Sequence, residues 1–489
     1  MNIQQAKDYI KDSIRMYLKK DELGQYRIPL ASQRPIFLLG APGIGKTAIM
    51  EQIAQELGIA VVSYAMTHHT RQSALGLPFI VEKEYDGKTF SVSEYTMSEI
   101  IASVYETMEK SGIREGILFL DEINCVSETL SPSMLQFLQY KTFGRHRVPE
   151  GWIIVTAGNP PQYNRSVREF DVVTLDRLKI IEVEEDLDTW KRYARERSVH
   201  PAIVSFLDMK KEFFYHIETT VKGRLYVTAR GWEDLSGILY LYEEEGLKVE
   251  ESLIGQYIRN DKIVKEFTAY YDLYQKYKKD YHLEDILSGQ VTDAVCENAS
   301  KAAFDEKLAL TGMLVDRTIS DMKECMEEAD YLMELKGLIL PITQEDLGTQ
   351  AIQEAIEKIG KKTESLSRAG ALSLRDQRKY RKIRKFLQDS GFKKDQLKPL
   401  YAEETKELRR KAEGCKEQTE RVFDFVARAF AQGNEMLILV TELTVNTDSA
   451  RFIATFGCPS YTKYNDQLML SERSGQIAAK IDQLGILDI

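Results

Sequence analysis

Five short apolar runs punctuate the first 190 residues, and their spacing predicts a parallel sheet wound with helices. They are Pro35-Ile36-Phe37-Leu38-Leu39, Ile59-Ala60-Val61-Val62-Ser63-Tyr64, Gly116-Ile117-Leu118-Phe119-Leu120, Trp152-Ile153-Ile154-Val155-Thr156-Ala157 and the more mixed Leu178-Lys179-Ile180-Ile181-Glu182-Val183. A strand buried on both faces reads as a continuous apolar run, whereas a half-buried strand alternates. Helical spacing appears before and between them. Ile10, Ile14, Tyr17 and Leu18 share one side of a helix over Gln5 to Lys20, and Ile49, Ile53 and Leu57 share one side of a helix that Gly58 stops. The expected fold class is therefore α/β, a three-layer αβα core around a five-stranded parallel sheet.

One stretch breaks the pattern. Phe79 to Tyr85 alternates, Asp86-Gly87 is a strong turn signal, and Lys88 to Val92 alternates back, which predicts a β-hairpin inserted at about residues 79–92. From Asp186 onward strand signals mostly stop and the chain reads as largely helical. Ala302 to Leu335 carries Leu308, Met313, Leu314, Ile319, Met322 and Met326 among polar residues. Gly433-Asn434 breaks the apolar stretch Val422 to Leu443, and Asn446-Thr447 can cap a further helix ending at Gly457. Arg375 to Lys385 is markedly basic, but Tyr380, Ile383 and Leu387 keep helical spacing there. That combination reads as a solvated helix face, with the acids of Glu403 to Glu420 available to pair with it.

Composition narrows the class. At 489 residues the chain exceeds one compact core, and a formal net charge of −10 argues against a protein dominated by nucleic-acid binding. No apolar run is long enough to span a bilayer and the first residues form no apolar signal core, so a cytoplasmic protein without membrane contact is expected. Five scattered cysteines without C-x-x-C spacing indicate neither a disulfide framework nor a zinc site.

The chemistry concentrates at the ends of the apolar runs. Gly40-Ala41-Pro42-Gly43-Ile44-Gly45-Lys46-Thr47 follows the first run and opens the next helix, the context in which G-x-x-x-x-G-K-[ST] signifies a phosphate-binding loop. Its glycines let successive N–H groups point at an anion, and the helix start adds a positive dipole end. Lys46 would reach the β- and γ-phosphates and the Thr47 hydroxyl would hold Mg²⁺. The third run ends in Asp121-Glu122: Asp121 would hold Mg²⁺ through its water shell, and Glu122 would orient the attacking water. The fourth ends Ala157-Gly158-Asn159-Pro160, where the Asn159 amide can bond both the water and the γ-phosphate.

These segments, with Leu175-Asp176-Arg177-Leu178 and Thr228-Ala229-Arg230-Gly231-Trp232-Glu233, resemble an AAA+ ATPase of the MoxR-like type, related to the dynein-type modules. The resemblance covers about Gln33 to Leu235. Asp121-Glu122-Ile123-Asn124 and Leu75-Gly76-Leu77-Pro78 are similar to that branch in particular. It implies that Asn159 is the first sensor, that Arg177 is an arginine finger acting on a neighbouring subunit, and that Arg230 is the second sensor on a helical lid. Arg165 and Arg168 are alternative fingers, since Asp176-Arg177-Leu178 departs from the family's frequent Asp-Arg-Phe. It also implies a nucleotide-binding core at 1–186 and a lid at 187–288; composition alone adds a helical module of unassigned role at 289–489.

The leading expectation is an ATP hydrolase using Mg²⁺, assembled as a homo-oligomeric ring, a hexamer by resemblance. It would remodel a partner protein complex, the client having a von Willebrand factor A domain by analogy. The alternative is a nucleic-acid-directed or restriction-type NTPase that uses the basic helix near 375–385. A third expectation is a nucleotide-gated switch with negligible turnover, against which the water-activating acid Glu122 speaks.

Overall fold

The computed structural model describes residues 1–468 except 69–71, 73, 75, 164–166, 169, 221–222, 345–348 and 432. Packing divides the chain into two compact units. The first comprises Met1–Thr189 and Gln353–Arg384; the second comprises Trp190–Ile352 and the chain from Lys385 onward.

The first unit is built on five parallel strands in the order β2-β5-β8-β1-β9: β1 (Ile36–Gly40), β2 (Ala60–Ala65), β5 (Gly116–Asp121), β8 (Trp152–Gly158) and β9 (Lys179–Val183). Each coincides with one of the five apolar runs. β5 and β8 are buried along nearly their whole length, which is why their sequences do not alternate. Around the sheet lie α1 (Ile3–Tyr17), α2 (Lys46–Leu57), α3 (Glu99–Ser111), α4 (Ser131–Tyr140) and the short α5 (Val172–Leu175). α1 starts two residues before Gln5 because Asn2 and Gln5 form a reciprocal capping box, and it ends at Tyr17 rather than Lys20.

The inserted hairpin pairs β3 (Pro78–Tyr85) with β4 (Lys88–Tyr95), and Asp86 and Gly87 turn it with φ of 56° and 74°. Two positive φ values at a two-residue loop match the right-handed twist of the strands. A second small hairpin, β6 (Thr142–Phe143) with β7 (His146–Arg147), stands beside it: the Arg145 guanidinium pairs with Glu94 on β4, as does Lys83 from β3. Phe79, Ile80, Tyr85 and Phe90 on the larger hairpin are exposed.

Residues 353–384 return to this unit from far along the chain. α6 (Thr349–Arg368) ends against the free edge of β2, where the Val61 N–H donates to the Ala369 carbonyl at 3.0 Å. Leu366, Ala369 and Ala371 pack into the core under β2, β5 and α3. Ser365 Oγ bonds the Ser111 carbonyl and Arg368 the Lys110 carbonyl. The basic run then forms α7 (Leu374–Asp389), with Tyr380, Ile383, Phe386 and Leu387 buried and Arg378, Arg381, Lys382, Arg384 and Lys385 exposed. The acids at Glu407, Glu413 and Glu417 bridge to cations of their own helix, Arg410, Lys416 and Arg421.

Among its described residues the second unit is helical apart from one antiparallel pair, β10 (His216–Thr220) with β11 (Gly223–Val227), which the expectation of a largely strand-free region passes over. Its long helices, Phe304–Gln344 and Lys394–Phe430, pack together. An aromatic cluster of Phe206, Trp232, Phe267, Tyr270 and Tyr274 fills another part of its core. Asn434–Val445 and Thr447–Phe456 follow the break at Gly433, and Asn446 caps the second through the Ser449 N–H. Among the described residues no helix is long and apolar enough to cross a membrane.

Candidate active site

Parallel winding brings the carboxyl ends of β1, β5 and β8 to one edge of the sheet, and the sequence puts a functional residue at each. The phosphate loop leaves β1 with Gly43 and Gly45 at φ of 74° and 97°, a backbone that L side chains rarely adopt. Gly40 cannot carry a side chain either, since a Cβ there would stand 2.7 Å from the Val183 carbonyl on β9. α2 begins at Lys46, which places the N–H groups of its first turn at the loop. Pro42, Gly43, Ile44 and Gly45 form the turn between them. This concavity, at a helix start with a lysine in it, fits the phosphates of a nucleotide.

Lys46 is buried and its Nζ donates to the carbonyls of Gly40 (2.7 Å) and Ala41 (2.8 Å) and to Asn159 Oδ1 (2.8 Å). The Asn159 contact joins the tip of β8 to the loop after β1, its neighbour in the sheet. β5, which carries the acids, pairs with β8 and not with β1. Reach across that gap comes from α2, whose Thr47 hydroxyl donates to Asp121 Oδ2 at 3.0 Å. Thr47 and Asp121 thus lie one hydrogen bond apart. A hydroxyl beside one carboxylate fits Mg²⁺, which keeps several waters and takes its other ligands from phosphate oxygens. The described residues contain no cluster of three or more acidic, histidine or cysteine ligands, and a site of this type requires none.

Glu122 follows with φ of 54°, a left-handed conformation in a non-glycine residue, and its N–H is taken by Asp121 Oδ1 at 2.9 Å. Such backbone costs roughly 1–2 kcal/mol and persists only where the surroundings enforce it. The turn continues through Ile123 and Asn124 to Cys125, whose thiol is pushed up by burial and by the Glu122 and Asp121 carboxylates beside it. Asn124 is the residue that motif reading left without a role. It is buried, its Nδ2 donates to the Asn159 carbonyl at 2.8 Å, and its own carbonyl accepts the Arg168 N–H at 2.9 Å. Its signal in the sequence was only its place as the fourth residue of Asp-Glu-Ile-Asn.

The arginines fall in different places. Arg177 is exposed two residues before β9, and its Nη1 donates to Gln139 Oε1 at 2.6 Å. Because β9 runs parallel to β1 with Lys179 opposite Ile36 and Val183 opposite Gly40, Arg177 lies at the amino edge of the sheet while the phosphate loop lies at the carboxyl edge. Four residue steps of strand separate those edges, roughly 13 Å. Arg168 sits at the carboxyl edge beside Asn124 and pairs with Glu128 at 2.7 Å. Arg165 and Leu75 are outside the described residues. Arg230 belongs to the second unit, exposed in the first turn of the helix Ala229–Glu244, which Thr228 caps through the Gly231 N–H.

A five-stranded parallel sheet in the order β2-β5-β8-β1-β9, with a phosphate loop on β1, acids on β5 and an amide on the strand between, defines a P-loop nucleotide-hydrolase core. Residues 35–178 match the family described as AAA domain (dynein-related subfamily), and the chain carries an AAA+ ATPase domain there. No curated protein matches the chain.

Proposed function

We propose that this chain is a MoxR-like ATPase that couples ATP binding and hydrolysis to the remodelling of a partner protein complex, working as a ring of identical subunits. One observation carries the hydrolytic part: the consecutive residues Lys46 and Thr47 hydrogen-bond to Asn159 and Asp121 respectively at the carboxyl edge of the sheet, with Glu122 on the adjoining turn. The triphosphate and its Mg²⁺ supply the reacting phosphoryl group and neutralise its charge. The loop amides and Lys46 would hold the phosphates, and Thr47 with Asp121 would hold the metal. Glu122 accepts the hydrogen bond of the attacking water and fixes its line of approach, while Asn159 bonds the γ-phosphoryl oxygens.

The finger and the second sensor belong to the same reading. Arg177 stands at the edge of the sheet opposite its own phosphate loop, which supports action on a neighbouring copy, whereas Arg168 is engaged with Asn124 and Glu128 on the loop's own edge. Arg230, at the start of its helix, is the proposed second sensor. The exposed aromatic and aliphatic side chains of the β3–β4 hairpin are the surface proposed to meet a client, by analogy one with a von Willebrand factor A domain.

Glu122→Gln tests the chemistry. The variant keeps nucleotide affinity within about threefold and loses turnover by two orders of magnitude or more, on the order of 3 kcal/mol in activation free energy. Unchanged steady-state phosphate release would sink the assignment. The same variant traps clients that normally dissociate, so a pull-down with ATP tests the remodelling part separately.

A further inference from the structure

Asn124 occupies a junction that the nucleotide chemistry described so far does not use. Its Nδ2 donates to the backbone carbonyl of Asn159 at 2.8 Å, and the Cys125 thiol approaches its Oδ1 at 4.0 Å. Its own carbonyl receives the Arg168 N–H at 2.9 Å. Three segments meet on this one side chain and its peptide: the turn after β5 that carries Asp121 and Glu122, the tip of β8 that carries Asn159, and the loop containing Arg168. The seat is built tightly. Gly158 lies directly under the Asn124 amide, and a Cβ at Gly158 would come within 2.5 Å of Oδ1.

We propose that Asn124 is a positioning residue for hydrolysis, fixing the backbone of Asn159 against the Asp121–Glu122 turn. An amide suits the task because it can donate to a carbonyl while its own oxygen accepts, and an ionised carboxylate of the same size has no donor for the first bond. Asn159 Oδ1 bonds Lys46, so the carbonyl that Asn124 holds is the anchor of a side chain that touches the phosphate lysine. Glu122 is held in a left-handed conformation two residues from Asn124. With both residues fixed on one scaffold, the distance between the water-orienting carboxylate and the γ-phosphate-contacting amide is set before substrate arrives. Misplacement of reacting groups by about 1 Å costs up to roughly a hundredfold in rate.

The inference rests on the hydrolytic reading of Glu122 and Asn159, and the experiment separates the two. Single-turnover ATP hydrolysis and equilibrium binding of a fluorescent ATP analogue are measured for Asn124→Ala, Asn159→Ala and the double variant. Asn124→Ala slows hydrolysis about tenfold or more while nucleotide affinity stays within about threefold, because the Lys46 and loop contacts are untouched. In the Asn159→Ala background the same substitution changes the rate by no more than about twofold, since both act through one group. Asn124→Asp, of nearly equal volume, loses the Nδ2 donor and behaves likewise, and a thermal midpoint that stays above the assay temperature guards against a merely unfolded variant. Gly158→Ala, which displaces the amide from the other side, gives the same rate defect. Unchanged hydrolysis in both Asn124 variants, or losses that multiply fully in the double variant, overturns the proposal and leaves the hydrolytic reading intact. Normal hydrolysis by Glu122→Gln and Asn159→Ala overturns that reading and this inference together.

Discussion

Lys46 shows why single residues in this site were legible and others were not. A lysine after Gly-x-Gly at the start of a helix has one common physical use, so its sequence context determines its chemistry. Asn124 has no such context: its role comes from the Asn159 carbonyl, 35 residues away, and only the sheet order brings that carbonyl within 2.8 Å. Partly buried acids are equally silent in sequence. Asp316, in the long helix Phe304–Gln344, lines a cavity of about 50 Å³ with Ser205, Asp208, Arg195 and Glu442, all in the second unit. Burial pushes its carboxyl up to about 6, against the opposing pull of Lys323, Arg195, Arg317 and Lys278. A carboxyl raised in the folded state binds more protons folded than unfolded between its unfolded value, about 4, and 6, so this group lowers stability as pH rises through that window. Asp316→Asn therefore stabilises the second unit at pH 7, by up to about 3 kcal/mol, and the gain vanishes below about pH 4. Denaturant titrations of both proteins at pH 3.5 and 7 check it, and equal stabilities at pH 7 would refute it.

Among elements, the five strands of the sheet were the most readable. β1, β5 and β8 are buried on both faces, so their own residues carry the signal without help from a partner, while the edge strands β2 and β9 expose part of one face and read as more mixed. The edge of the sheet was the least readable. Ala369 and Gly370 lie some 300 residues after Val61, and no local periodicity announces that Ala369 accepts its hydrogen bond. The boundary expected at 289 likewise follows composition alone, whereas packing assigns residues 353–384 to the first unit. The turn there depends on Gly370, whose φ is +67° and whose missing Cβ would meet Val61 Cγ1 at 3.1 Å. This strap covers a strand edge that would otherwise present unpaired backbone groups. Gly370→Val forces a β-branched side chain into the left-handed region against Val61. It destabilises the first unit by about 1–3 kcal/mol, seen as a lower denaturation midpoint. Because the strap bonds β2, which pairs with β5, loss of stability is accompanied by faster amide exchange along β2. An unchanged midpoint and unchanged exchange would show that the strap contributes nothing to the sheet.

At the scale of the whole molecule, the finger role proposed for Arg177 carries a requirement that no single copy meets. β9 hydrogen-bonds to β1 in register, so the two ends of that strand pair cannot approach each other without breaking the sheet, and Arg177 stays roughly 13 Å of strand away from its own loop's edge. On that proposal the guanidinium acts on another copy's γ-phosphoryl group, and activity depends on assembly. Arg177→Ala alone has an intact pocket and no finger to give its neighbour; Glu122→Gln alone binds nucleotide and presents a finger but does not hydrolyse. Mixed in equal amounts and allowed to exchange subunits, the two inactive proteins regain about a quarter of the wild-type rate per subunit: about half of all sites are Arg177→Ala, and about half of those receive a Glu122→Gln neighbour's arginine under random assembly in a ring. Turnover per subunit of the wild-type protein also rises with protein concentration until assembly is complete. A mixture no more active than its components, with co-assembly verified by sedimentation, would remove Arg177 from the reaction and return the choice to the loop that carries Arg168.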